Sequence, residues 1–101
     1  MILELIIVGG FAGPAAPQTY RLDTATLPAH SATKLETLVE KSKFFSLPET
    51  LLSKSPKSWD FANTLTVSDR TSTHKVQFHD ESAPQELREL RDEIKAIGEQ
   101  P

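Results

Sequence analysis

A chain of 101 residues with 38% hydrophobic and 25% charged residues has room for one compact domain and enough apolar content to close a core, which argues against an unstructured chain. A formal charge of −3 provides no basic field for phosphate backbones and sets nucleic acid aside as a partner. The absence of cysteine excludes a disulfide framework and thiol chemistry.

Residues 1–17, MILELIIVGGFAGPAAP, have the apolar centre and small-residue end of a signal peptide, but no positive start, and Glu4 interrupts the apolar run. Nothing else in the chain approaches the roughly 20 apolar residues that span a bilayer. The expectation is a cytoplasmic protein, with no membrane partner, whose first residues form a strand. Residues 1–8 are nearly all apolar and rich in isoleucine, the pattern of a central strand covered on both faces. A Gly/Pro/Ala loop over 9–17 follows. Gln18–Asp23 then alternates, with Tyr20 and Leu22 on one face and Thr19, Arg21 and Asp23 on the other, and reads as a second strand.

From 28 to 45 the period becomes helical. Leu35, Leu38, Val39, Ser42 and Phe45 form a stripe, and Lys34, Glu36, Glu40, Lys41 and Lys43 cover the remaining surface. Pro28 suits a first helical position and Ser31 suits a cap, so the start lies between them. Residues 46–52 can support one more helical turn, and 54–59 is a polar loop containing Pro56. Phe61–Ser68 alternates with Phe61, Leu65 and Val67 on one face, and Thr73–His79 with His74, Val76 and Phe78. The polar link Asp69-Arg70-Thr71-Ser72 joins them as a β-hairpin. Ser82 and Gln85 have capping-box spacing, Leu87, Leu90, Ile94 and Ile97 form the stripe of a last helix, and Gly98 ends it. No internal repeat appears. The sum is one α+β domain over 1–101, a four-stranded antiparallel sheet with two helices on one face, in the order ββαββα.

Candidate chemistry is sparse. Gly9, Gly10 and Gly13 do not match GxGxxG, and a strand rather than a helix N-terminus follows them, which argues against a phosphate cradle. The GxxG of Gly10, Phe11, Ala12 and Gly13 lacks the helices and basic side chains that an RNA-binding KH loop needs. His30, His74 and His79 have no HExxH or cysteine context. Odd spacing sets His74 and His79 on opposite faces, one half-buried against Val76 and Phe78 and one in solvent. With no GxSxG and no converging acid, base or metal set, the chain reads as a non-enzyme without cofactor or metal. Trp59 is either a core lid or an interface anchor.

The run Val8-Gly9-Gly10-Phe11-Ala12-Gly13-Pro14 has two readings: a bulged turn that folds Phe11 over the core, or a presented loop in which glycines permit close backbone approach and Phe11 is an apolar anchor. An N-terminal strand running into Gly9, Gly10, Phe11, Ala12 and Gly13 resembles the emfourin family, small bacterial proteins that inhibit protealysin, a thermolysin-like zinc metalloprotease. The similarity continues through Leu22-Asp23, Leu27-Pro28, the leucine-spaced helix to Phe44-Phe45-Ser46-Leu47-Pro48, Asp60-Phe61 and Leu65-Thr66-Val67, nearly the full chain. Two departures stand out: Pro14-Ala15-Ala16-Pro17 replaces basic and aromatic residues, and the link at 69–72 lacks a glycine. The resemblance implies a proteinaceous inhibitor, a monomer when free, that contacts a thermolysin-like metalloprotease through Gly9, Gly10, Phe11, Ala12 and Gly13. The competing expectation is a non-inhibitory interaction module that regulates another enzyme.

Overall fold

The computed structural model describes residues 1–9, 18–51, 61–79 and 82–98. Seven elements follow in chain order: β1 (Ile2–Gly9), β2 (Gln18–Asp23), α1 (Ala29–Ser42), β3 (Thr50–Leu51), β4 (Phe61–Ser68), β5 (Thr73–His79) and α2 (Gln85–Gly98), with a 3₁₀ turn at Phe44–Ser46. The sheet runs β2-β1-β4-β5-β3. Four strands are antiparallel neighbours, as their alternation predicts, whereas β3 pairs parallel to β5 through Thr50 and Leu51. The expected four-stranded antiparallel sheet is therefore a five-stranded mixed one. The extra strand occupies part of the stretch read as a further helical turn, where Pro48 removes a donor and favours an extended chain.

Register sorts the side chains into two faces. Leu3, Leu5 and Ile7 of β1 stand beside Leu22, Tyr20 and Gln18 of β2, and beside Val67, Leu65 and Asn63 of β4. His74, Val76 and Phe78 extend the same face onto β5. Leu3, Leu5, Leu65, Val67, Val76 and Phe78 are fully buried there, against Leu35, Leu38 and Val39 of α1 and Leu87, Leu90 and Ile94 of α2. Each such side chain contributes about 1.5–3 kcal/mol relative to exposure. Asn63 is buried among them, its Nδ2 donating to the Phe78 carbonyl at 3.3 Å.

The opposite face is not covered in the way the apolar run of β1 suggested. Ile2, Glu4 and Ile6 are half-buried and Val8 is 46% exposed. β1 is central because it has a strand on each side, but among the described residues the helices pack on one of its faces only. Its isoleucine content reflects β-propensity as well as burial.

Helix α1 starts after an extended Pro28, whose carbonyl accepts the Ala32 N–H at 3.0 Å, and Ser31 does not cap it. It ends three residues earlier than its stripe suggested, because Lys43 takes a left-handed conformation (φ 53°), the one non-glycine residue with positive φ among those described. That break shifts the phase. Phe44 enters the core and meets His74 edge-on at 5.6 Å, while Phe45, expected on the buried stripe, is 37% exposed. In α2 the Gln85 Nε2 donates forward to the Glu89 carboxylate at 3.0 Å, one turn along the helix. Gly98 has a packing role as well as a terminal one: a Cβ there would lie 2.6 Å from the Tyr20 ring, so a side chain would push the helix end off β2.

The β4–β5 turn dispenses with glycine through Asp69. Its carboxylate accepts the N–H groups of Ser72 (2.7 Å) and Thr71 (2.9 Å) and the Thr71 hydroxyl (3.2 Å). The side chain supplies what a left-handed residue would otherwise arrange.

Candidate functional site

The ends of the strands define two poles. At one, Gly9 pairs with Phe61, Ile7 with Gln18 and Ala62 with His79, so the chain leaves β1 and enters β2 and β4 side by side. At the other lie Met1, the turn after β2 and the 69–72 link, roughly 23 Å away for seven residue steps of about 3.3 Å. Of the proposed contact residues, Gly9 is the last residue of β1, while Gly10, Phe11, Ala12 and Gly13 lie outside the described residues. So do the 54–59 loop and Trp59.

The described part of that pole is a firm mount. β1 is hydrogen-bonded to a strand on each side, and its Leu3, Leu5 and Ile7 anchor it in the core. Beside Gly9, Val8 presents an exposed apolar side chain on the open face. His79, expected in solvent, is only 9% exposed. His74 is half-buried as expected, with Nε2 2.8 Å from the Leu47 carbonyl, and the two histidines do lie on opposite faces. His30 is exposed on α1.

Among the described residues no three His, Asp or Glu side chains gather to hold a metal ion. No helix of the described residues is long and apolar enough to cross a membrane. Among the described residues the carboxyl of Asp69 stands out, held below its ordinary value of 3.8 by the Thr71 N–H and then the Ser72 N–H. That is turn architecture at the far pole. A shallow groove of about 340 Å³ also lies there, between Met1, Val39, Lys43, Phe45 and Asp69. It carries charges of both signs and no convergent hydrogen-bonding set.

Sequence reasoning did not find two features of the near pole and its flank. Asn63 was passed over as a polar residue in an alternating strand, although its odd position places it on the core face. That β2 is the outermost strand among the described residues has no signature in residue type. Comparison with known proteins gives one match: the family model described as Emfourin covers residues 5–95. No curated protein and no solved structure matches the chain.

Proposed function

The chain belongs to the emfourin family, and from that premise we propose that it is a proteinaceous inhibitor, not an enzyme, acting on a thermolysin-like zinc metalloprotease of the protealysin type. The observation that carries the reading is the glycine-flanked Phe11, set immediately after a central strand within a family match over residues 5–95. In this reading the segment Gly9, Gly10, Phe11, Ala12 and Gly13 enters the active-site cleft. Thermolysin-like enzymes favour a bulky apolar side chain just after the scissile bond, so Gly10-Phe11 mimics a cleavable pair. Phe11 fills the apolar pocket and the glycine backbone lies near the protease's zinc. Blockade is steric and needs no chemistry from the inhibitor.

Magnitudes require a larger contact. Burying one phenylalanine contributes about 1.5–3 kcal/mol, against about 12 kcal/mol for nanomolar binding, and a stable complex buries about 800 Å² on each partner. The position of the two other loops bears on where that area is found. Residues 54–59 lie outside the described residues and precede β4, whose first residue Phe61 pairs with Gly9, while the 69–72 link is at the opposite end. A rigid sheet beneath the contact also lowers the ordering cost, which is about 1–2 kcal/mol per free residue.

The test is titration of the purified protein into a thermolysin-like peptidase with a short peptide substrate. Inhibition is expected, and Phe11→Ala should weaken it at least about tenfold with an unchanged melting temperature. Equal loss of folding and inhibition would assign Phe11 to the core. A wild-type protein that inhibits no such peptidase would leave the regulatory-module reading. The cytoplasmic location belongs to the proposal as well.

A further inference from the structure

Which backbone groups of β2 face outward follows from a single hydrogen bond. The Thr24 N–H donates to the Met1 carbonyl at 2.9 Å, and the register sets Met1 opposite Thr24. In an antiparallel pair, hydrogen-bonded and non-hydrogen-bonded positions alternate. Leu22, Tyr20 and Gln18 therefore bond to β1, and Thr19, Arg21 and Asp23 turn their N–H and C=O groups away from the sheet. The Asp23 carbonyl is taken by the N–H (3.0 Å) and hydroxyl (2.9 Å) of Thr26. Both groups of Thr19, both of Arg21 and the N–H of Asp23 have no partner among the described residues.

Such a row fits one kind of partner, another extended backbone. A second copy is a poor occupant. Two-fold pairing with Thr19 opposite Arg21 makes only four hydrogen bonds over six residues, whereas a typical stable interface carries about ten. Centring the pair on Arg21 sets two guanidinium groups face to face, and placing Arg21 opposite Asp23 needs a carbonyl already used by Thr26.

Resting on the inhibitor reading, we infer that the outer edge of β2 receives an extended segment of the target protease as an added strand, bonded through Thr19 and Arg21. β2 begins at Gln18, directly after residues 10–17, so this edge is continuous with the proposed inhibitory segment. Backbone pairing adds affinity there without a demand on side-chain identity. This also suits a strand whose side chains at 18, 19 and 21 are exposed.

Amide hydrogen exchange, measured for the intact protein free and mixed with a thermolysin-like peptidase, reads the edge directly. The Thr19 and Arg21 amides should exchange rapidly in the free protein and at least about tenfold more slowly in the complex, while Tyr20 and Leu22 are protected in both. Arg21→Pro removes an outward N–H and no ladder bond, and besides these gives up the exposed ion pair of Arg21 with Glu4 at 4.0 Å, which contributes little, so it should fold with a melting temperature close to wild type and inhibit roughly tenfold less well. Lys75→Pro, an outward position on the other side of the sheet, should inhibit like the wild type. If Arg21→Pro does not fold, the exchange measurement decides. Unprotected Thr19 and Arg21 amides within a formed, inhibited complex overturn strand addition and leave inhibition standing. Absence of any complex with the wild-type protein overturns both.

Discussion

The two edges of the sheet are finished differently. On the β5 side, the chain returns after α1 and lays down β3, and the Gln77 N–H donates to the Glu49 carbonyl at 2.8 Å. On the β2 side, the described residues add nothing beyond the strand. Both edges carry polar side chains that discourage aggregation, yet among the described residues only the β5 edge has a further strand beside it. The bare edge is the one contiguous with the glycine segment.

The sharpest way to break this contrast is from the middle. Leu65 lies between Leu5 and Val76 and is fully buried, so Leu65→Ala should cost about 2–5 kcal/mol and loosen both edges together in chemical denaturation. Loss confined to one edge would show that the sheet does not act as a unit. A smaller effect separates the edges. Gln77→Pro deletes the bond to Glu49 and should cost about 1–3 kcal/mol, visible as a lower melting temperature, whereas a proline at the outward Arg21 should leave stability near wild type. Equal destabilisation by the two would deny that β2 is bare.

The smallest effect concerns the turn that joins β4 to the covered edge. Asp69 is fully exposed, and its pKa is lowered by the Thr71 and Ser72 amides, so the ionised form is favoured in the folded state. Its contribution is present above the ordinary carboxylate value and is lost as the pH falls through the lowered one. Asp69→Ala should therefore reduce the melting temperature at neutral pH by less than Leu65→Ala or Gln77→Pro, and the difference should vanish in strong acid. A difference that persists there would assign the effect to turn geometry rather than charge.

Much of the fold was legible because period and element coincide. Leu65-Val67 and Val76-Phe78 alternate, Leu35-Leu38-Val39-Ser42 and Leu87-Leu90-Ile94 repeat at helical spacing, and all are buried as those patterns require, whereas residues 1–8, read as covered on both faces, bury Leu3, Leu5 and Ile7 on one. The errors have physical causes. Phe45 was placed inside by continuing the helical phase beyond Ser42, but the left-handed Lys43 resets it and puts Phe44 there instead. β3 is two residues long, too short for any alternation to show. Of the candidate site, Gly9, which the sequence reads as the first residue of the loop, is the last residue of β1, and Gly10, Phe11, Ala12 and Gly13 lie outside the described residues.

Sequence by itself determined the helices, the four long strands and the family, because apolar spacing and the glycine-phenylalanine run are properties of neighbouring residues. Tertiary structure alone decided which face of β1 stays open, that a parallel fifth strand closes one edge, and that Thr19 and Arg21 point their backbone groups outward. These depend on register between segments distant in the chain, and hydrogen-bond parity leaves no trace in side-chain identity.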